Sequence, residues 1–137
     1  AKITTIERIE ERVAKAEENF KKYDKNGQIT LIKGDALNVL SELVVNGNEY
    51  DFIFMDAAKG QYMSFFEKSI ERLNQGGILI SDNILFRGLV AKEKNNIRRK
   101  NTIVKRLKEF LKIITNSDKF STTIIPIDDG MAICYKK

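Results

Sequence analysis

Acidic residues stand where strand-like runs end: Glu7 after Lys2–Ile6, Asp35 after Gln28–Lys33 and Gly34, Asp56 after Phe52–Met55, and Asp82 after Ile78–Ser81, with Asn83 next. Two carboxylates and an amide oxygen from adjacent strand ends, Asp56, Asp82 and Asn83, would form a hard, oxygen-only site suited to Mg²⁺ or a similar divalent cation. Such a cation lowers the pKa of a nearby hydroxyl and stabilises the oxyanion, so an alcohol or enol becomes a nucleophile near neutral pH. Independent helix caps would account for the same residues one at a time. Lys59 follows Asp56 by three residues and falls near the same rim, where it could act as a base or simply pair with Asp56 in solvent. Glu7 ends a strand and begins a helix, the place where a nucleoside-binding fold holds ribose hydroxyls with a carboxylate. A helix-start acid complementing the helix dipole is the plainer account of the same residue. Asp35 can cap its own helix, and with Ala36 it could border an adenine ring.

Absences restrict the chemistry further. The chain has no histidine, which excludes Ser-His-Asp triads, Cys-His pairs and imidazole bases built from its own residues. The one cysteine, Cys134, lies in the apolar run Ala132–Tyr135 and reads as a buried spectator, with no partner for a disulfide or a thiolate cage. No apolar run approaches the ~20 residues of a membrane span, and the charged stretch Ala1–Phe20 has no secretory h-region, so a soluble, cytoplasmic protein is expected. Between Arg87 and Lys119 there are eleven Lys/Arg against three Asp/Glu, although the whole chain carries only +5. That local excess is either a solvated helix face or a phosphate-facing patch.

The elements that must position these residues alternate between periods of two and 3.6. Lys2–Ile6 predicts a strand, and Arg8–Tyr23 a helix with Ile9, Val13, Ala16 and Phe20 on one face. Gln28–Lys33 predicts a strand and the segment after Asp35 a helix burying Leu37, Leu40 and Val44. The continuous run Phe52–Met55 predicts a central strand covered on both faces. Gln61–Leu73 is helical in spacing, ended by Gly76-Gly77, and Ile78–Ser81 is another buried strand. Ile97–Thr115 places Ile103, Leu107, Phe110 and Ile114 on one side and Lys105, Arg106, Lys108 and Lys112 away from it. Thr122–Ile127 and Met131–Tyr135 flank Asp128-Asp129-Gly130, a hairpin signal that predicts an antiparallel edge strand. The pattern specifies one α/β domain over 1–137, a doubly wound sheet with helices on both faces and a C-terminal antiparallel hairpin. Ligands of such sheets lie at the carboxyl ends of the strands.

Taken together, Asp56-Ala57-Ala58-Lys59-Gly60-Gln61-Tyr62, Gly76–Asn83, Arg87-Gly88-Leu89-Val90 and Ile127–Ile133 resemble the metal-dependent class I O-methyltransferases of the catechol and caffeoyl-CoA type. The resemblance runs from Lys2 to Lys137, and within the family the bacterial branch that methylates 5-hydroxyuridine in tRNA is the nearest match. It implies a Rossmann-like sheet, with Asp56, Asp82 and Asn83 as metal ligands and Lys59, together with Asp56, as the catalytic residues. It further implies that Glu7, Gly34, Asp35, Ala36 and Asp56 bind S-adenosylmethionine, Glu7 at the ribose and Asp35-Ala36 at the adenine. The reaction it implies is in-line transfer of the sulfonium methyl to an acceptor hydroxyl, driven by alignment and charge stabilisation. The family's first strand and glycine-rich cofactor loop have no counterpart in the sequence. The expectation is therefore a truncated domain lacking its middle strand, with two backbone edges unpaired, weak or absent cofactor binding, and no activity alone.

The favoured acceptor at this level is 5-hydroxyuridine in tRNA, with Arg98, Arg99, Lys100, Lys105 and Arg106 on phosphates. A small-molecule catechol or acyl-CoA acceptor is the alternative, with the basic segment at the surface or against a nucleotide phosphate. A catalytically inactive nucleoside-binding module is a third. Relatives in the family often pair, so a homodimer is among the assemblies the resemblance implies.

Overall fold

A computed structural model of the chain describes the backbone of residues 1–91 and 98–137 and the side chains of 1–91 and 101–137. The chain divides into two compact units, Ala1–Asn46 and Gly47–Lys137. Among the described residues no helix is long and apolar enough to cross a membrane.

The first unit is two βα repeats: β1 (Ile3–Glu7), α1 (Glu10–Tyr23), β2 (Ile29–Lys33) and α2 (Ala36–Val45). β1 and β2 run parallel from Ile3 opposite Ile29 to Glu7 opposite Lys33. Of the predicted face of α1, Val13 is buried, Ala16 and Phe20 are half-buried, and Ile9 is exposed at the N-cap. The face of α2 differs from the reading: Val39 and Leu43 are buried, whereas Leu37, Leu40 and Val44 are half-buried. All five positions are apolar, so hydrophobicity alone could not choose the inward stripe.

The turn into β2 is held by Asp24, whose Oδ1 and Oδ2 accept the backbone N–H groups of Gln28 and Ile29 at 2.9 Å each. Those bonds, Gln28 first, hold the Asp24 carboxyl below its ordinary value of 3.8. The folded state therefore binds this proton less readily than the unfolded chain, so the contribution is complete above the ordinary value and lost as pH falls through the lower, folded one. We expect the first unit to lose stability on acidification below about pH 4. Asp24→Asn should lower its stability at pH 7 and flatten that acid limb, as read by circular dichroism melts at successive pH values.

The second unit contains β3 (Tyr50–Met55), a single 3₁₀ turn (Lys59–Gln61), α3 (Tyr62–Arg72), β4 (Leu73–Ser81), α4 (Arg98–Thr115), β5 (Phe120–Ile125) and β6 (Met131–Lys136). Its sheet has the order β3-β4-β6-β5, with β3 and β4 parallel and β6 antiparallel to both neighbours. The antiparallel strand thus lies inside the sheet, not at its edge as the hairpin signal predicts. One face, carrying Leu79, Cys134, Ala132 and Ser81, is fully buried, and Thr122 beside Cys134 donates its hydroxyl to Ile114 O of α4 at 2.6 Å. Cys134 is the expected spectator, and burial pushes its thiol up.

Two further expectations change. Among the described residues β3 is an edge strand paired only with β4; Phe52 and Phe54 are each 55% exposed, and Phe52 is in register with the exposed Ile78 and Tyr135. The apolar run that predicts a central strand therefore has one open backbone edge and one open face. Among the described residues β1 likewise pairs only with β2. Gly76-Gly77 does not end α3, which stops at Arg72; both glycines lie within β4, where the register jumps from Tyr50 opposite Leu73 to Phe52 opposite Ile78. Gly77 is required there, because a Cβ would sit 2.8 Å from both Leu73 Cδ1 and Asn74 O.

Candidate functional site

The carboxyl end of the first unit's sheet carries Glu7 and Asp35. Glu7 Oε1 accepts the N–H groups of Arg8 and Ile9, each at 2.8 Å, and Arg12 Nη1 stands 3.7 Å from Oε2. The Ile9 N–H above all, then that of Arg8 and the Arg12 charge, holds the carboxyl below the ordinary glutamate range. Glu7 is therefore a fixed anion at a strand tip. Asp35 caps α2 through Leu37 N at 3.0 Å, while its Oδ2 meets Arg8 Nη1 at 3.2 Å. Gly34 continues the ladder, donating to Glu7 O at 3.0 Å, and a Cβ on it would press to 3.2 Å from Val39 Cγ2. Ala36 opens α2 beside the cap. Chemically this rim offers fixed carboxylate acceptors, the kind of group that takes hydroxyl donors.

In the second unit Asp56 and Asp82 follow directly on Met55 and Ser81, which face each other in the ladder, and Asp82 N extends the pairing to Met55 O at 3.1 Å. Asp82 Oδ1 accepts Asn83 N at 2.7 Å, and Asn83 takes a left-handed φ of 53°, which asparagine tolerates better than most residues. Lys59 Nζ donates to Asn83 Oδ1 at 3.3 Å. Tyr62 is buried at 1% exposure and donates its hydroxyl to Asp82 O at 2.5 Å. Burial first, then the negative charges of Asp56, Asp82 and Asp129, push this phenol well above its ordinary value. It remains a neutral donor throughout the working range.

Asp129 also anchors the loop after β4. Its Oδ1 accepts Arg87 N and its carbonyl accepts Leu85 N at 2.8 Å, while Gly130 O accepts Ile84 N at 3.0 Å. Gly130, at φ 78°, has no room for a Cβ, which would lie 2.5 Å from Leu85 Cγ. Phe86, Arg87 and Gly88 are successively left-handed, at 47°, 56° and 71°. The hairpin turn therefore fixes the segment that leaves Asp82 and Asn83.

The donor set at these tips, two carboxylates and one amide oxygen, fits a hard divalent cation and leaves coordination positions for water and a substrate oxygen. Among the described residues no group of three or more His, Cys, Asp or Glu side chains could hold a metal.

The family model for O-methyltransferases matches residues 1–137, the whole chain. The chain belongs to the O-methyltransferase family. It is 32% identical over 116 residues to a caffeoyl-CoA O-methyltransferase of Populus kitakamiensis, covering 80% of this chain and 48% of that protein. A caffeoyl-CoA O-methyltransferase candidate from Staphylococcus aureus superposes with a TM-score of 0.86 at 34% identity, covering 99% of this chain and 65% of that one. The SAH-bound Podospora anserina methyltransferase PaMTH1 gives 0.81 at 27% identity, covering 100% and 61%. The chain spans about three fifths of the length of the first curated relatives it matches, 59% for each of two. Its α/β architecture is the Rossmann-like methyltransferase fold of these structures.

Within this O-methyltransferase chain, the residues predicted to meet phosphate are placed unevenly. Arg98, Arg99 and Lys100 begin α4, and their side chains lie outside the described residues. Lys105 is exposed, 4.0 Å from Glu109. Arg106 instead donates Nη1 to Gly60 O at 2.8 Å, in the turn that carries Lys59. Two residues of the second unit's rim escape the sequence reading. Tyr62 closes the Asp56–Tyr62 block three residues beyond Lys59, a helical spacing that could have drawn attention to it; Asp129 reads only as a turn residue.

Proposed function

We propose that this chain forms part of an S-adenosylmethionine- and divalent-metal-dependent O-methyltransferase whose acceptor is a small-molecule hydroxyl of the catechol or caffeoyl-CoA kind. The observation that carries this reading is that Asp56 and Asp82 follow the paired strand residues Met55 and Ser81, with Lys59 Nζ at Asn83 Oδ1 beside Asp82. The similarity to caffeoyl-CoA O-methyltransferases supports the acceptor class. Asp56, Asp82 and Asn83 would hold the metal, which when bound makes an acceptor hydroxyl more acidic and stabilises the resulting charge. Glu7 and Asp35, with Gly34 and Ala36, would bind the ribose and adenine of the cofactor. Lys59 takes the acceptor proton at Nζ, and Asn83 Oδ1 orients that nitrogen. Tyr62 keeps the Asp82 carbonyl fixed and contributes no proton. The S-adenosylmethionine sulfonium supplies the methyl, and transfer to oxygen needs alignment and no covalent enzyme intermediate.

The coverage of relatives, about three fifths of their length, supports a further part of the reading: these 137 residues carry only part of the cofactor site. Calorimetric titration of S-adenosylmethionine into the 137-residue chain should then show weak or no binding; tight binding would overturn that part.

The exposed lysines of α4, Lys105, Lys108 and Lys112, favour a second reading in which the acceptor is 5-hydroxyuridine in tRNA. Methyl transfer to a catechol or caffeoyl-CoA that is insensitive to salt supports the first reading. Transfer to tRNA that falls steeply between low and physiological salt supports the second. Absence of both, with retained nucleoside binding, leaves an inactive binding module.

A further inference from the structure

We propose that Arg106 is a positioning residue for Lys59. This inference rests on the reading of Lys59 as the base. Lys59 lies in a single 3₁₀ turn closed by one backbone bond, Gln61 N to Ala58 O at 2.8 Å, and its N-cap receives no side-chain bond. One such turn is marginal by itself, and a lysine on it would sample many places. Yet its Nζ is found at Asn83 Oδ1, which requires the turn to be held from outside.

The restraint comes from α4. Arg106, forty-six residues away in sequence, donates Nη1 to the carbonyl of Gly60, the middle residue of the turn, at 2.8 Å. A guanidinium remains charged at all relevant pH and makes a directional, charge-assisted bond to a carbonyl. Four residues on, and so on the same side of the helix, Phe110 meets the Tyr62 ring edge-on at 5.8 Å. Tyr62 in turn holds Asp82 O. Two residues one helical turn apart thus grip the two partners of the Lys59–Asn83 contact: Arg106 the lysine's turn, and Phe110, through Tyr62, the Asp82-Asn83 turn. A helix with no candidate ligand or base sets the distance between them.

The test reads the Asn83 side-chain amide resonances of the 137-residue chain by ¹⁵N–¹H NMR. Lys59→Gln should shift them, which establishes the reporter. Arg106→Gln should shift them the same way and speed hydrogen exchange at the Gln61 and Tyr62 amides about tenfold, with the thermal midpoint unchanged. Arg106→Lys, which keeps the charged donor that glutamine lacks, should restore much of the wild-type position. Lys105→Gln, at an exposed neighbour on the same helix, should leave it alone. The proposal is overturned if Arg106→Gln leaves the Asn83 resonances at their wild-type position, or moves them only along with a general loss of dispersion. None of these readouts depends on methyl transfer, so failure of the proposed activity is told apart by assay of the wild type.

Discussion

On the proposed metal assignment, Asp82→Ala should strongly weaken divalent-cation binding. The second unit alone contains Asp56, Asp82 and Asn83, so Mn²⁺ can be titrated into the 137-residue protein and followed by its paramagnetic broadening of nearby amide signals. A hard oxygen site built from two carboxylates and an amide loses half its protein charge with Asp82, and the remaining pair lacks the ligand count that such ions require. We expect Mn²⁺ affinity to fall by about two orders of magnitude, and metal-dependent methyl transfer, where it is measured, to fall by about two to three. The fold should survive, because the backbone bonds of Asp82 to Met55 and Tyr62 use its N–H and carbonyl, which alanine retains. Undiminished Mn²⁺ binding in this variant would end the metal assignment.

Phe110→Ala should produce the largest loss of stability in the second unit. The ring has no exposed surface and meets Tyr62 at 5.8 Å and Phe66 at 5.4 Å, both edge to face, and Phe66 passes the contact on to Phe120 at 5.6 Å. Truncating a buried phenylalanine costs about 3–5 kcal/mol, and the two ring pairs place this position toward the upper end. Because Tyr62 would lose the surface that sets its tilt, the Asp82-Asn83 turn should loosen as well. Urea unfolding should show the lower midpoint, and Mn²⁺ affinity should drop by a smaller factor than in Asp82→Ala. Equal losses of cation affinity in the two variants would show that the tips are held by some other contact.

How much could be read without coordinates depended on whether a local rule or a distant partner decided the outcome. The alternation of strands and helices, the acids at the strand ends and the buried side of α4 follow from periodicity and from turn chemistry, and Leu107, Phe110 and Ile114 are all fully buried as their spacing requires. Gly76-Gly77 misleads because glycine after a helical stretch usually signals its end. Here Leu73, at 3% exposure, is drawn into the core as the first residue of β4, and the glycines accommodate the irregular ladder beyond it. Strand order was illegible for a different reason. A hairpin states that β5 and β6 are adjacent and antiparallel, but not which of them β4 will choose. At the rim, Asp56, Asp82, Asn83 and Lys59 were legible by type and spacing. Tyr62, Asp129 and Arg106 act through backbone groups 20, 42 and 46 residues away, and no composition or period encodes such a pairing.

The interior position of β6 has a bearing on how the protein is made. β4 and β5 touch only through a strand that follows both in the chain, so during synthesis each must wait with unfilled hydrogen-bonding groups until Met131–Lys136 has emerged. Ile78–Ser81 would leave the ribosome as a sticky, one-sided ribbon against β3, a species prone to capture by other nascent chains. Late completion of the sheet makes the helices α3 and α4 the first shelter for its apolar side.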